Sequence, residues 1–179
     1  MRFFNAIFID GALKIGKSTQ CSLLNGLDLD QSLPVFKMNY KMKPTELNDK
    51  VNELRKLCVA NPTKTIIIDG SVAFSLVSND LENQSFGNSY LEYERSVKNF
   101  LNLLREIRTI SILVNSDSYA FIKENRDNDL NITESLAFYK GLVHFETSQI
   151  NSGFSFVRLN IEPNETMIEI HKKILKLLK

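Results

Sequence analysis

Gly11-Ala12-Leu13-Lys14-Ile15-Gly16-Lys17-Ser18 is the stretch whose reading decides the fold. It fits the phosphate-binding loop pattern G-x-x-x-x-G-K-[ST], with Gly11, Gly16, Lys17 and Ser18 at the specified places. The spacing has a chemical reason. Glycines let the backbone curl until several N–H groups point inward at a di- or triphosphate. Lys17 then reaches the outer phosphates, and the Ser18 hydroxyl can ligate a Mg²⁺ carried by them. Ala12, Leu13, Lys14, Ile15 and Thr19 complete the cradle, and the Lys14 side chain can hardly avoid a triphosphate lying in it. Upstream, Phe3 to Asp10 reads as a buried strand. Downstream, Ser18 to Leu27 reads as a helix whose N-terminal N–H groups and dipole favour an anion. Strand, glycine loop and helix together are the context that separates this motif from a glycine turn that happens to carry Lys-Ser. The stretch therefore implies binding of a nucleoside triphosphate.

Outward from the loop, strands and helices alternate. Leu33 to Met38 is short and apolar after a Gln-Ser-Leu-Pro turn signal and reads as a second strand. Pro44 to Ala60 follows as a helix, with Pro44 in its first turn and Leu47, Val51, Leu54 and Leu57 on one stripe. Thr65 to Asp69 is a third strand, apolar until its last residue, as a parallel strand covered on both faces should be. Ser78 to Ser89 reads as a loop or broken helix, Tyr90 to Ile107 as an amphipathic helix, and Thr109 to Asn115 as a fourth strand. A short helix from Ser118, a charged interruption, and a helix over Thr133 to Ile150 come next. Phe154 to Asn160 is the fifth strand, and Pro163 to Leu178 the closing helix. The pattern predicts an α/β fold in three layers: a five-stranded parallel sheet with helices on both faces. Ligands in such sheets sit outside the carboxyl ends of the strands, which places the loop after Asp10, the segment after Lys37 and Asp69-Gly70-Ser71 on one rim.

The chain's 179 residues suit a single domain, and no linker or repeat divides residues 1–179. A net charge of +1 carries no polyelectrolyte signature, so nucleic acid is not an expected partner. No apolar run approaches a membrane span, and no signal peptide is expected at the N-terminus. Cys21 and Cys58 are too few for a disulfide framework or a zinc site and read as reduced thiols of a cytoplasmic protein.

Few further residues invite chemistry. Asp69 ends an Ile-Ile-Ile strand on the rim, where a carboxylate can hold Mg²⁺ or its waters. The charged interruption at 123–131 has the character of a basic lid, and its Arg126 is suited to bridging phosphoryl oxygens. His144 and His171 fall within helices and form no metal pair; satisfied or surface histidines are the expectation for both. The lysines of the last helix suit its dipole and solvent.

With those residues in place, the sequence resembles thymidylate kinase and the related deoxynucleoside kinases. The resemblance is carried by Phe8-Ile9-Asp10-Gly11, by Gly16-Lys17-Ser18-Thr19-Gln20 and by Leu23-Leu24. Lys14 stands where one branch of the family carries an arginine. Asp69-Gly70-Ser71 falls where the family has Asp-Arg-Tyr, and 134–146 is similar to the helix that follows the lid. The resemblance implies a P-loop kinase-like fold and Mg-ATP-dependent phosphoryl transfer to a deoxynucleoside monophosphate such as thymidylate. Lys17, Lys14 and Arg126 would then neutralise charge, with Ser18 and Asp69 at the metal. The departures fall on the acceptor side: Leu13 replaces the family's loop acid, Gly70 replaces the arginine after Asp69, Ser78 and Asn79 stand where the family has base-reading Tyr and Gln, and the segment between the second strand and Asp69 is short. Lys37, Lys41 and Arg55 are the cations that could stand in for that arginine, and Gly70→Arg is expected to restore the clamp. A deoxynucleoside kinase acting on a hydroxyl and a catalytically degenerate nucleotide-binding protein remain as alternatives, and a homodimer is compatible with either.

Overall fold

Ala6–Gly11 forms the first strand, β1, and every one of its residues is buried. Its side chains alternate, so Ala6 and Phe8 enter one hydrophobic cluster while Ile7 and Ile9 enter another on the opposite face. A strand covered on both sides has no polar face to show, which is why its sequence is a nearly continuous apolar run. The computed structural model describes residues 4–11, 15–26, 33–38, 42–70, 89–115, 156–162 and 164–179. Among these, β2 spans Phe36–Lys37, β3 Ile66–Asp69, β4 Thr109–Asn115 and β5 Phe156–Asn160. The helices are α1 (Lys17–Asn25), α2 (Pro44–Ala60), α3 (Ser89–Glu106) and α4 (Met167–Leu177).

All pairings are parallel, and the strand order is β2-β3-β1-β4-β5. Helices α2 and α3 cover one face through Leu47, Val51, Leu54, Phe100 and Leu103. Helices α1 and α4 cover the other through Cys21, Leu24, Ile170 and Ile174. The expected three-layer α/β arrangement is thus the one observed. Leu47, Val51 and Leu54 are fully buried, and each such side chain stabilises by about 1.5–3 kcal/mol. Phe8 and Phe100 meet edge to face with ring centroids 6.0 Å apart, pinning α3 to the middle of β1. The buried Ser96 hydroxyl donates to the Pro44 carbonyl at 2.8 Å, fastening α3 to the first turn of α2.

Several expected boundaries shift for physical reasons. Helix α4 begins at Met167 rather than Pro163, because Thr166 caps it. The Thr166 Oγ1 accepts from the Glu169 N–H at 3.3 Å while Glu169 Oε2 accepts from the Thr166 N–H at 2.8 Å, a reciprocal capping box. Before it, the Glu165 N–H donates to the Glu162 carbonyl at 3.1 Å. Strand β2 is shorter than expected, Phe36–Lys37, and lies at the sheet edge beside β3. Of the loop or broken helix expected at 78–89, Ser89 opens α3 and 78–88 lies outside the described residues. The helices expected at 118–123 and 133–150 and the lid at 123–131 lie outside the described residues.

Candidate functional site

The chain leaves β1, builds β2 and β3 on one side of it, and then returns to build β4 and β5 on the other. That reversal opens a crevice beyond the carboxyl end of β1, where ligands bind in open parallel sheets. Gly16 stands there as the N-cap of α1, at φ 90° and ψ 14°. The left-handed conformation is one that a side chain would disfavour. The first N–H groups of α1 have no acceptor within the helix, so they and the dipole face the crevice.

Register brings the third strand to the same place. Ile9 pairs with Asp69, so the strand-end carboxylate lies beside the end of β1. Across the gap the Ser18 hydroxyl donates to Asp69 Oδ2 at 2.5 Å. A hydroxyl and a carboxylate, both hard oxygen donors and both reachable from solvent, suit a divalent cation such as Mg²⁺. Among the described residues no three His, Cys, Asp or Glu side chains gather into a metal cluster. A cation held by Ser18 and Asp69 would draw its other oxygens from phosphate and water, which is how Mg²⁺ is usually bound beside nucleotides.

Lys17 is half-buried between carboxylates. Burial pulls its ammonium below the usual lysine range, and the charges of Asp10 and Asp69 oppose that shift without cancelling it. Asp10 is fully buried, and Ser111 of β4 donates its hydroxyl to Asp10 Oδ2 at 2.7 Å. The lone hydroxyl in the run Ile110-Ser111-Ile112 was the available sequence signal for this contact, since a buried Ser in an apolar strand needs a partner.

Gly70 follows Asp69 at φ +86°, and a Cβ there would lie 3.1 Å from the Met38 carbonyl oxygen. The turn after Asp69 is therefore shaped for glycine. A side chain here would be strained, which counts against the expectation that an arginine at this place restores an acceptor clamp. Arg55 is placed away from the rim. It bonds Glu106 at 2.7 Å, Asn52 at 2.9 Å and Asn99 at 3.1 Å. Glu106 ends α3 just before β4 begins, so this pair sits at the amino edge of the sheet, opposite the rim. Lys37 lies in register with Asp69 and is exposed.

Of the loop residues, Ile15 packs its side chain into the core, leaving only its backbone to meet a ligand. Thr19 is exposed in the first turn of α1. Ala12, Leu13, Lys14, Lys41, Arg126 and His144 lie outside the described residues. Both cysteines are buried free thiols. Burial pushes Cys58 up to about 11 and raises Cys21 further, its Sγ lying 3.8 Å from the Ile68 carbonyl oxygen. His171 is satisfied, as expected, by Gln20, with Nδ1 3.2 Å from Oε1.

The fold has parallels among solved structures. A deoxyadenosine kinase from M. mycoides with bound dCTP superposes with a TM-score of 0.57 over 97% of this chain and 98% of its own, at 18% identity. This is the P-loop kinase fold. A thymidylate kinase from Ehrlichia chaffeensis shares the fold as well, with a TM-score of 0.55 at 12% identity and the same coverage of 97% and 98%. No protein-family model matches the chain, and no curated protein matches it by sequence. Within the P-loop kinase fold, Gly16 closes the turn between β1 and α1, Lys17 and Ser18 open α1, and Asp69 ends the neighbouring strand.

Proposed function

We propose that this protein is a Mg-ATP-dependent kinase that transfers a phosphoryl group to a deoxynucleoside monophosphate of the thymidylate class. The observation that carries the reading is the Ser18–Asp69 hydrogen bond of 2.5 Å beside Lys17, at the switch point of a P-loop kinase fold. Backbone N–H groups of the loop and of the first turn of α1 would hold the phosphates of ATP. Lys17 would stand as a cation against the outer ones, with Lys14 adding charge from within the loop and Arg126 from the lid. Ser18 and Asp69 would hold Mg²⁺, which supplies further neutralisation of phosphate charge. Catalysis of this kind is positioning and electrostatics, with little for a general base to do when the acceptor is already an ionised phosphate.

The described rim residues lend support to a phosphate acceptor. A nucleoside hydroxyl needs a base within hydrogen-bond reach. Among the described rim residues the carboxylates are Asp10, fully buried against Ser111, and Asp69, engaged by Ser18. The end of β2 contributes Lys37 rather than an acid. That favours a phosphate acceptor. The glycine-shaped turn at Gly70 favours the second reading, a deoxynucleoside kinase, because no arginine follows Asp69 to clamp a phosphate.

A coupled ADP-release screen over deoxynucleosides and their monophosphates tests both readings, with Lys17→Ala as the control. Turnover with a monophosphate, abolished in Lys17→Ala together with weakened ATP binding, is the expected result. Turnover with nucleosides alone would replace the first reading by the second. Unchanged ATP affinity and rate in Lys17→Ala would remove the phosphate-loop assignment itself.

A further inference from the structure

Gln20 lies one turn into α1, its side chain only 1% exposed. The Nε2 donates to the Met167 carbonyl at 2.8 Å and lies 3.8 Å from the Met167 thioether, and Oε1 is 3.2 Å from His171 Nδ1. Met167 and His171 are four residues apart, so one amide spans a full turn of α4. These partners fix its orientation. The nitrogen must face the carbonyl, because two acceptors would repel, and Oε1 then accepts from His171, which carries its proton on Nδ1. At the other end of the same segment, Met167 fills the space in front of Gly16. A Cβ on Gly16 would meet the Met167 sulfur at 2.8 Å. One residue of the C-terminal helix therefore touches both ends of Gly16–Gln20, the segment that carries Lys17 and Ser18.

Adhesion between α1 and α4 does not require this. An apolar side chain of the same length would bury at less cost than an amide, whose dipole must be matched in direction as well as in position. A satisfied amide adds a fixed angle between the two helices. We propose that Gln20 is a positioning residue: with Met167 and His171 it sets the angle at which the phosphate loop presents Lys17 and Ser18 to the nucleotide. The inference rests on the nucleotide-binding reading above and extends it to a helix that supplies none of the proposed phosphate contacts.

The test is ATP affinity by calorimetry on the full chain, with melting curves and acceptor KM measured in parallel. Gln20→Met keeps the volume and removes both directional contacts. It should raise the Kd for ATP about tenfold, the size of one or two net hydrogen bonds, and leave the acceptor KM unchanged. His171→Leu removes one arm from a half-buried position and should raise the Kd about threefold. Gln20→Glu can still accept from His171 but cannot donate to Met167, so it should fall with Gln20→Met rather than with wild type. A lower melting temperature with a Kd within about twofold of wild type would show a merely adhesive contact and overturn the proposal. Should Gln20→Met fail to fold, an unchanged Kd in His171→Leu would overturn it equally. A wild-type protein that binds no ATP would overturn the nucleotide reading and this one together, whereas wild-type binding matched by all three variants overturns this one alone.

Discussion

Replacing Gly70 separates the sequence's account of the acceptor site from the structure's. By resemblance, Gly70→Arg should supply a missing phosphate clamp and lower the acceptor KM. By structure, any side chain there is strained, since φ is +86° and the new Cβ would sit 3.1 Å from the Met38 carbonyl oxygen. Holding a non-glycine residue in the left-handed region costs about 1–2 kcal/mol. The close approach adds to this, because the Met38 N–H is itself tied to the Asp69 carbonyl at 3.0 Å and the strand cannot easily withdraw. Loss of glycine's freedom in the unfolded chain offsets about 0.4–1 kcal/mol. The net expectation is a loss of about 1–2 kcal/mol, or about 2–8 °C in melting temperature for a chain of this size. Gly70→Ala carries the same backbone cost without a guanidinium, so the two variants should melt alike. Strain in this turn should also displace Asp69 from Ser18, and ATP affinity in the presence of Mg²⁺ should then fall in both. Thermal melting and calorimetry decide the matter. Gly70→Ala as stable as wild type, or Gly70→Arg with a lowered acceptor KM and intact stability, would refute the reasoning.

Asp69→Asn should raise the Mg²⁺ concentration needed for half-maximal rate about tenfold or more, since the carboxylate beside Ser18 is lost, and a Mg²⁺ titration at saturating ATP reads it directly. Arg126→Ala should lower kcat by about 10²-fold while changing ATP affinity less, as expected of a charge contact that strengthens in the transition state; a wild-type kcat would reduce 123–131 to a surface loop. Both cysteines should resist a thiol reagent in the folded protein at pH 8. Burial holds Cys58 at about 11, leaving about one part in a thousand as thiolate, and Cys21 is raised as well. Reactivity should rise as pH approaches 11 or when the protein is unfolded, and rapid labelling at pH 8 under native conditions would contradict the buried placement.

By itself, the sequence determined the layers and the place of the glycine loop between the first strand and the first helix. Apolar runs at Ala6 to Ile9 and Ile66 to Ile68 can be buried only between two helical layers, and the spacing of Gly16, Lys17 and Ser18 encodes a local shape that needs no distant contact. The bounds of α2 and β4 were legible for the same reason, because Pro44 and the Leu47-Val51-Leu54 stripe act within one element. What only the tertiary structure decided depends on residues far apart in the chain. Parallel register set Asp69 beside β1 and within a hydrogen bond of Ser18, 51 positions away. Ser111 reached Asp10 across 101 positions, and Gln20 found Met167 across 147. No local propensity encodes such pairs, since each depends on how the chain crosses between strands. The same holds for Gly70 and Arg55. As letters, one looked like a lost clamp and the other like its substitute. The fold gives the first a left-handed turn under Met38 and carries the second to the opposite edge of the sheet, because a side chain's neighbours are set by packing rather than by its own chemistry.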